Sequence, residues 1–375
     1  MERVTVGYLG HCLHPLWATS LDLRMARVFG AKSLWLPDHY TGFMPAFVWK
    51  PEVTAAAKFL HSLDAFFDPL QMLAVAATRF RGVDLATGVT EAFRRHPMSL
   101  AQSFVTLDHL SKGHAILGIG NGEKENVEPY GLAWEKQVSR LEEALTIIRL
   151  LWESQGTPVS YEGSFWKLRD AIFNLPLYND KPPRIWVAAH APRMLALTGR
   201  FADGWIPTEK ISGSEYARRL EGIAQAATAA GRSMELFVPG QLLFPVVLGE
   251  SKEQVIDMLM KSRMNAANSL CFPGVVWKEH GLVHPLGESH KGWREIVPAR
   301  LAEEDVDRAM ATVTPELILS TTYVGSPAEV VDEVAPLVDA GAQHLVVTNL
   351  APAYTGGGVR DVLRLARFIR LLKRL

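Results

Sequence analysis

Two short stretches place acid–base groups directly after apolar runs. In one, Trp35, Leu36 and Pro37 lead to Asp38 and His39. In the other, Ala115, Ile116 and Leu117 lead through Gly118, Gly120 and Gly122 to Glu123 and Asn126. An imidazole titrates near neutrality and can give a proton to a nascent alkoxide. A partly enclosed carboxyl group is raised in pKa and can stay protonated as a donor. His39 and Glu123 both qualify as a general acid, and the sequence leaves the choice open. The three glycines let the backbone turn sharply and approach another group closely. They do not form a dinucleotide fingerprint, because the third glycine, counted from Gly118, would fall at Glu123. An ordinary glycine-rich turn from strand to helix is the plain alternative, with Glu123 serving only the helix dipole.

A third stretch, Ala189, His190 and Ala191, precedes Pro192, a residue suited to the first helical position. Backbone N–H groups at such a helix start suit a phosphate, while His190 reads equally well as a packing residue. His280, His284 and His290 lack a regular helical spacing and a metalloprotease-type carboxylate, so no metal site is expected. The chain holds only Cys12 and Cys271, which excludes a disulfide framework and a cysteine metal cluster.

The elements that must carry these groups alternate. Apolar strands are expected at residues 4–9, 33–37, 83–89, 115–117, 184–189, 203–206, 236–248 and 344–348. Helical spacing falls between them, at residues 20–29 with Ser20 as N-cap, 69–79, 98–111, 139–152, 193–201, 215–230, 251–263, 326–340 and 360–372. The seventh strand is expected to break early, at Pro239 and Gly240. Eight such alternations predict a single-domain α/β fold, a (β/α)8 TIM barrel, with a doubly wound sheet as the other possibility. Insertions are expected at about residues 40–68, 153–183 and 264–322. The first is rich in aromatics and long enough to be a lid or pocket wall, with a short helix at residues 52–60. In a barrel, Asp38, His39, Glu123 and Asn126 all fall past strand ends, where ligands bind.

With 375 residues, 48% hydrophobic and 21% charged, the chain has material for one large core. A net charge of −1 gives no electrostatic footprint for nucleic acid. No apolar stretch is long enough for a membrane span, and the chain starts a strand at once without a leader-like pattern. A cytoplasmic location is expected.

Several phrases together resemble one family. They are residues 35–39, residues 88–97 from Gly88 through His96 and Pro97, residues 118–126, and residues 199–205 from Gly199 to Trp205. In this order they are similar to the luciferase-like superfamily, in the branch that uses the deazaflavin coenzyme F420. Within that branch, residues 115–120, 128–131, 185–195 and 205–207 are most similar to the ketoreductases of mycobacterial phthiodiolone dimycocerosates. The resemblance implies an F420-dependent oxidoreductase passing hydride to a lipid or polyketide-type ketone, with an FMN-dependent monooxygenase as the alternative. It implies Asp38, Gly88, Val89, Asn126, Ala189, His190 and Ala191 around the coenzyme, with a cis Gly88–Val89 peptide behind its middle ring. It also implies a homodimer. Phe43 stands where several relatives carry tryptophan, which keeps an apolar substrate wall but drops the indole N–H.

Overall fold

The computed structural model describes residues 4–375. Eight parallel strands close into a barrel. They are Thr5–Leu9, Ser33–Leu36, Asp84–Thr87, Ala115–Ile119, Arg184–Val187, Gly204–Trp205, Val238–Leu243 and His344–Val347. Each pairs with its sequence neighbours, and the last closes on the first through Thr5 opposite His344. The (β/α)8 expectation is met. Strands buried on both faces explain the short, unbroken apolar runs.

Two tryptophans fill the barrel interior. Trp35 and Trp186 lie 5.4 Å apart, packed with Ala86, Ile116, Ile206, Leu242 and Val346. Glycines on neighbouring strands make room for them. A Cβ on Gly204 would meet Trp186 at 2.4 Å, and one on Gly118 would meet the Thr87 carbonyl oxygen at 2.0 Å and Trp35 at 2.9 Å. His344 closes the lower polar layer, with Ser33 and Thr5 each 2.7 Å from its ring nitrogens. Burial pushes this imidazole down to about 4.

A second apolar layer lies between the strands and the outer helices. A third cluster is separate, built from Val48, Trp49, Leu270, Trp277 and Ile296. It joins the connection after the second strand to the long segment between the seventh and eighth strands.

Four details differ from the sequence reading. The first helix is Leu16–Val28, so Ser20 lies inside it and Pro15 stands at its N-cap. Its first turn turns Leu16 and Trp17 outward, so a search for core-facing apolar spacing starts the helix too late. The connection at 40–68 holds only a 3-10 turn, Ala55–Lys58, capped by Thr54. Residues 156–180 contain an antiparallel pair, Val159–Glu162 with Lys167–Ala171. Pro239 and Gly240 do not break the seventh strand. The break comes at the cis Phe244–Pro245 bond, after which Val246–Leu248 leaves the barrel to pair with Tyr323–Gly325. Pro239 is tolerated because its carbonyl still accepts from the Gln343 N–H, and Gly240 is required because a Cβ there would meet Trp186 at 2.9 Å.

Gly118→Ala is expected to destabilise the protein by at least about 2 kcal/mol, since the new methyl meets backbone that cannot swing away. Urea unfolding followed by circular dichroism checks this, and an unchanged midpoint contradicts it.

Candidate active site

The site grows from three strand ends. The second strand delivers Asp38 and His39. The third delivers the Gly88–Val89 peptide, which is cis, and then Thr90, Glu91, Arg94 and Arg95. The fourth delivers Glu123, Glu125 and Asn126.

Asn126 ties the second and fourth strand ends together. Its Oδ1 accepts the Tyr40 N–H at 2.6 Å and the Thr41 N–H at 3.3 Å. A backbone N–H can only donate, so this end of the amide is the oxygen. The other end is therefore Nδ2, and it donates to His39 Nδ1 at 2.9 Å and to Glu125 Oε1 at 2.8 Å. His39 Nδ1 is then an acceptor and the ring proton sits on Nε2. Phe66 stacks on the imidazole at 5.5 Å and Phe43 meets it edge-on at 5.2 Å.

His39 Nε2 lies 3.5 Å from Glu123 Oε2, and Nδ1 lies 3.7 Å from Glu125 Oε1. The two carboxyl groups differ in setting. Glu125 is 1% exposed, whereas Glu123 keeps 34% of its side chain open. Burial pushes Glu125 well up, and the Glu123 charge raises it further. Burial also raises Glu123, while the Arg94 charge pulls it back. Two carboxyls this close cannot both ionise, and the deeper one holds its proton more firmly. Glu125 Oε2 has no hydrogen-bond partner among the described residues. On its outer side Glu125 borders a narrow cavity of about 140 Å³ with Thr41, Met44, Pro129 and Val297.

His39, Glu123 and Glu125 offer atoms within 4.8 Å of one another, a spacing open to a metal ion. The Asn126 amide opposes that use, because its N–H₂ already occupies His39 Nδ1 and Glu125 Oε1. The histidines of the insertion meet differently. His284 and His290 lie ring to ring at 4.8 Å, and His280 Nδ1 lies 2.9 Å from the Val276 carbonyl.

Asp38 lies beneath this centre, 2% exposed. Thr90 donates to it at 2.5 Å and Arg95 Nε at 2.9 Å, with Arg94 at 3.5 Å. Burial alone would raise this carboxyl, but Arg95, Arg94 and Thr90 outweigh it and hold it below the usual range. Arg95 continues to Asp68, the N-cap of the helix Pro69–Arg79. Asp38 is thus an anchor for the loop that carries His39.

The floor of the mouth is apolar. Leu9, Val89 and Ala188 pack on the interior cluster and stay half-buried. At the end of the fifth strand, Ala189 accepts from Trp205 Nε1 at 2.8 Å. Ala191 stands at the N-cap of the helix Pro192–Phe201 with no side-chain cap. His190 Nδ1 is buried without a hydrogen-bond partner, and burial lowers its pKa despite Glu209 at 3.6 Å. Phe43 meets Trp293 of the insertion at 4.5 Å, and Trp293 continues the wall to Phe244 and Phe272.

The sequence reading missed Glu125, Arg94, Arg95 and Trp293 as parts of this centre. Glu125 lay inside the stretch already singled out. Only its burial distinguishes it from an exposed loop carboxylate.

The sequence pattern of the luciferase-like monooxygenase family matches residues 23–344. The chain belongs to that family. It is 39% identical over 365 residues to the phthiodiolone/phenolphthiodiolone dimycocerosates ketoreductase of Mycobacterium kansasii, covering 96% of this chain and 99% of the relative. Two solved structures share the fold. An F420-dependent secondary alcohol dehydrogenase, in complex with an F420–acetone adduct, superposes with a TM-score of 0.75 at 18% identity, covering 99% of each chain. The oxygenating constituent of 3,6-diketocamphane monooxygenase from Pseudomonas putida, in complex with FMN, gives 0.65 at 15% identity, covering 100% of this chain and 99% of the other.

Glu125 yields a pH prediction with a definite sign. Its folded pKa lies above the unfolded value, so its contribution is complete below the ordinary carboxyl range and is lost as pH rises toward the folded pKa. Wild type should therefore lose about 1.4 kcal/mol per pH unit across that window through this group, whereas Glu125→Gln should not. Urea unfolding of both proteins from about pH 5 to about pH 8 is expected to show the variant gaining on wild type. A gap that stays constant or widens the other way contradicts the assignment.

Proposed function

We propose that this protein is a coenzyme F420-dependent ketoreductase. The observation that carries the reading is His39 Nε2 facing Glu123 across 3.5 Å, with the other side of the ring locked by Asn126. The full-length likeness to a ketoreductase supports it.

The mouth would take a flat ring with an anionic tail. Leu9, Val89 and Ala188 would lie against the ring. The uncapped start of the helix Pro192–Phe201 and the unpartnered His190 Nδ1 would take the tail, through the N–H groups near Ala189 and Ala191. Gly88 and Gly120 keep that floor low, since a Cβ on either would meet Leu9 or Val89 at 3.1 Å. When bound, the reduced deazaflavin supplies a hydride to the carbonyl carbon.

The chain's own residues would manage the oxygen. His39 would donate its Nε2 hydrogen to the carbonyl oxygen and fix its direction. Glu123, the open member of the carboxyl pair, would give the proton as that oxygen gains charge. Glu125 would stay neutral behind it, and Glu123, which is open to the mouth, would take its next proton from solvent. This division of labour follows from the tautomer, because a ring whose Nδ1 only accepts orients a carbonyl better than it surrenders its one proton. Asp38 and Asn126 would act by holding His39 rather than by touching the coenzyme. Phe43, Phe66 and Trp293 would line the way in for a bulky apolar ketone.

The second reading is an FMN monooxygenase, favoured by the shared barrel of the FMN-bound structure. Titration with each cofactor separates the two. The protein is expected to bind reduced F420, oxidise it with lipid ketones and consume no oxygen; FMN binding with ketone-dependent oxygen uptake would overturn the proposal. Glu123→Gln and His39→Ala should each slow turnover by on the order of 100-fold or more, with coenzyme affinity changed only a few-fold. Stopped-flow fluorescence of the coenzyme checks both, and undiminished turnover in either variant removes that residue's role.

A further inference from the structure

The first helix, Leu16–Val28, and the last, Val359–Leu372, carry an unusual surface. Trp17, Leu21, Arg24 and Val28 follow one another at helical spacing and all are exposed. Trp17 is 59% exposed. On the last helix Val359, Val362 and Leu363 are exposed, with Val359 at 75%. Arg360, Arg367 and Arg370 are exposed on the same helix, and Arg374 just beyond it.

The two helices follow adjacent strands of the barrel and meet at their C-terminal ends. Their strands pair, and Lys373 Nζ, just past the last helix, donates to the Phe29 carbonyl at 3.0 Å and to that of Gly30. Neither helix has an exposed carboxylate. Asp22 is taken by Tyr8 and His11, and Asp361 by Thr355 and Arg364. The adjacent helix Pro327–Asp339 exposes Asp332 and Asp339, so the basic sector ends there. A chain of net charge −1 has thus gathered arginine and apolar surface on one side.

The charge selects the partner. A two-fold dimer through this face would gather the arginines of both copies at one interface with no exposed carboxylate on either helix to offset them. A complementary surface is anionic at its skin and apolar just beneath. Tryptophan favours that boundary, and arginine stems lie along apolar surface while their heads stay in water. We propose that this face docks on the surface of an anionic lipid bilayer, lying on it without crossing it. Helices of a parallel barrel return from the strands' C-terminal ends, so Trp17, Leu21, Val359 and Leu363 lie toward the mouth and Arg370 and Arg374 away from it. The docked barrel would hold its catalytic end beside the apolar layer, where a lipid ketone resides. That last step rests on the ketoreductase reading; the docking itself does not.

Flotation of the full chain with vesicles tests it. Binding is expected to phosphatidylglycerol–phosphatidylcholine vesicles, to fall with added salt, and to be lost with phosphatidylcholine alone. Arg367→Gln/Arg370→Gln/Arg374→Gln should weaken partitioning on the order of 100-fold, at about fivefold per charge. Trp17→Ser/Leu21→Ser should abolish flotation. These residues are exposed, and F420 affinity read on the same samples should not change, so docking and coenzyme use stand or fall separately. No flotation with anionic vesicles, or both variants floating like wild type, would overturn the proposal. So would a dimer that Trp17→Ser/Leu21→Ser converts to monomer by light scattering, which would assign the face to a second copy.

Discussion

One hydrogen bond constrains the rest of the site. The Tyr40 backbone N–H can only donate, so it fixes which end of the Asn126 amide faces it. That choice sets a donor against His39 Nδ1 and another against Glu125 Oε1. It decides which imidazole nitrogen faces the mouth and which carboxyl is tied inward. A backbone group is a sound keystone, because it cannot rotate away as a side chain can. The arrangement also needs the second and fourth strands in fixed register, which the closed barrel provides.

Burial turns that geometry into chemistry. Glu125 sits where a charge is costly, and Glu123 sits close enough that the two cannot both ionise. A proton is held next to the mouth by position rather than by a basic neighbour. Asp38 shows the opposite case. It is as deeply buried, yet two arginines and a threonine keep it ionised and turn it into a fastening for the His39 loop. Two similarly buried carboxyls of one site thus differ in charge, Glu125 favouring its proton and Asp38 held ionised by its partners. The aromatic rings of Phe43, Phe66 and Trp293 line the same region, drawing one residue from the distant insertion.

The barrel was legible because its strands are short apolar runs separated by helical periodicity, and both signals survive in a single sequence. His39, Glu123 and Asn126 were legible as polar groups past strand ends. What was not legible depends on folding. Arg95 reaches Asp38 across 57 positions, and Trp293 reaches Phe43 across an insertion with no pattern to guide it. Glu125 is one loop carboxylate among several until its burial is seen. Pro239 misled because a proline ordinarily interrupts a strand, whereas here its carbonyl still serves the ladder. The start of the first helix is hidden from a core-facing pattern because its opening apolar residues, Leu16 and Trp17, face outward, and Trp17 belongs to the inferred bilayer contact.

The most direct test of the central constraint is the tautomer of His39, read by nitrogen-15 NMR of histidine-labelled protein at neutral pH, with His39→Gln to assign the resonance. The account predicts a proton on Nε2 and an unprotonated, hydrogen-bond-accepting Nδ1. A proton on Nδ1 would contradict it, since the Asn126 amide would then face the wrong way and the proposed roles of His39, Glu123 and Glu125 would lose their common cause.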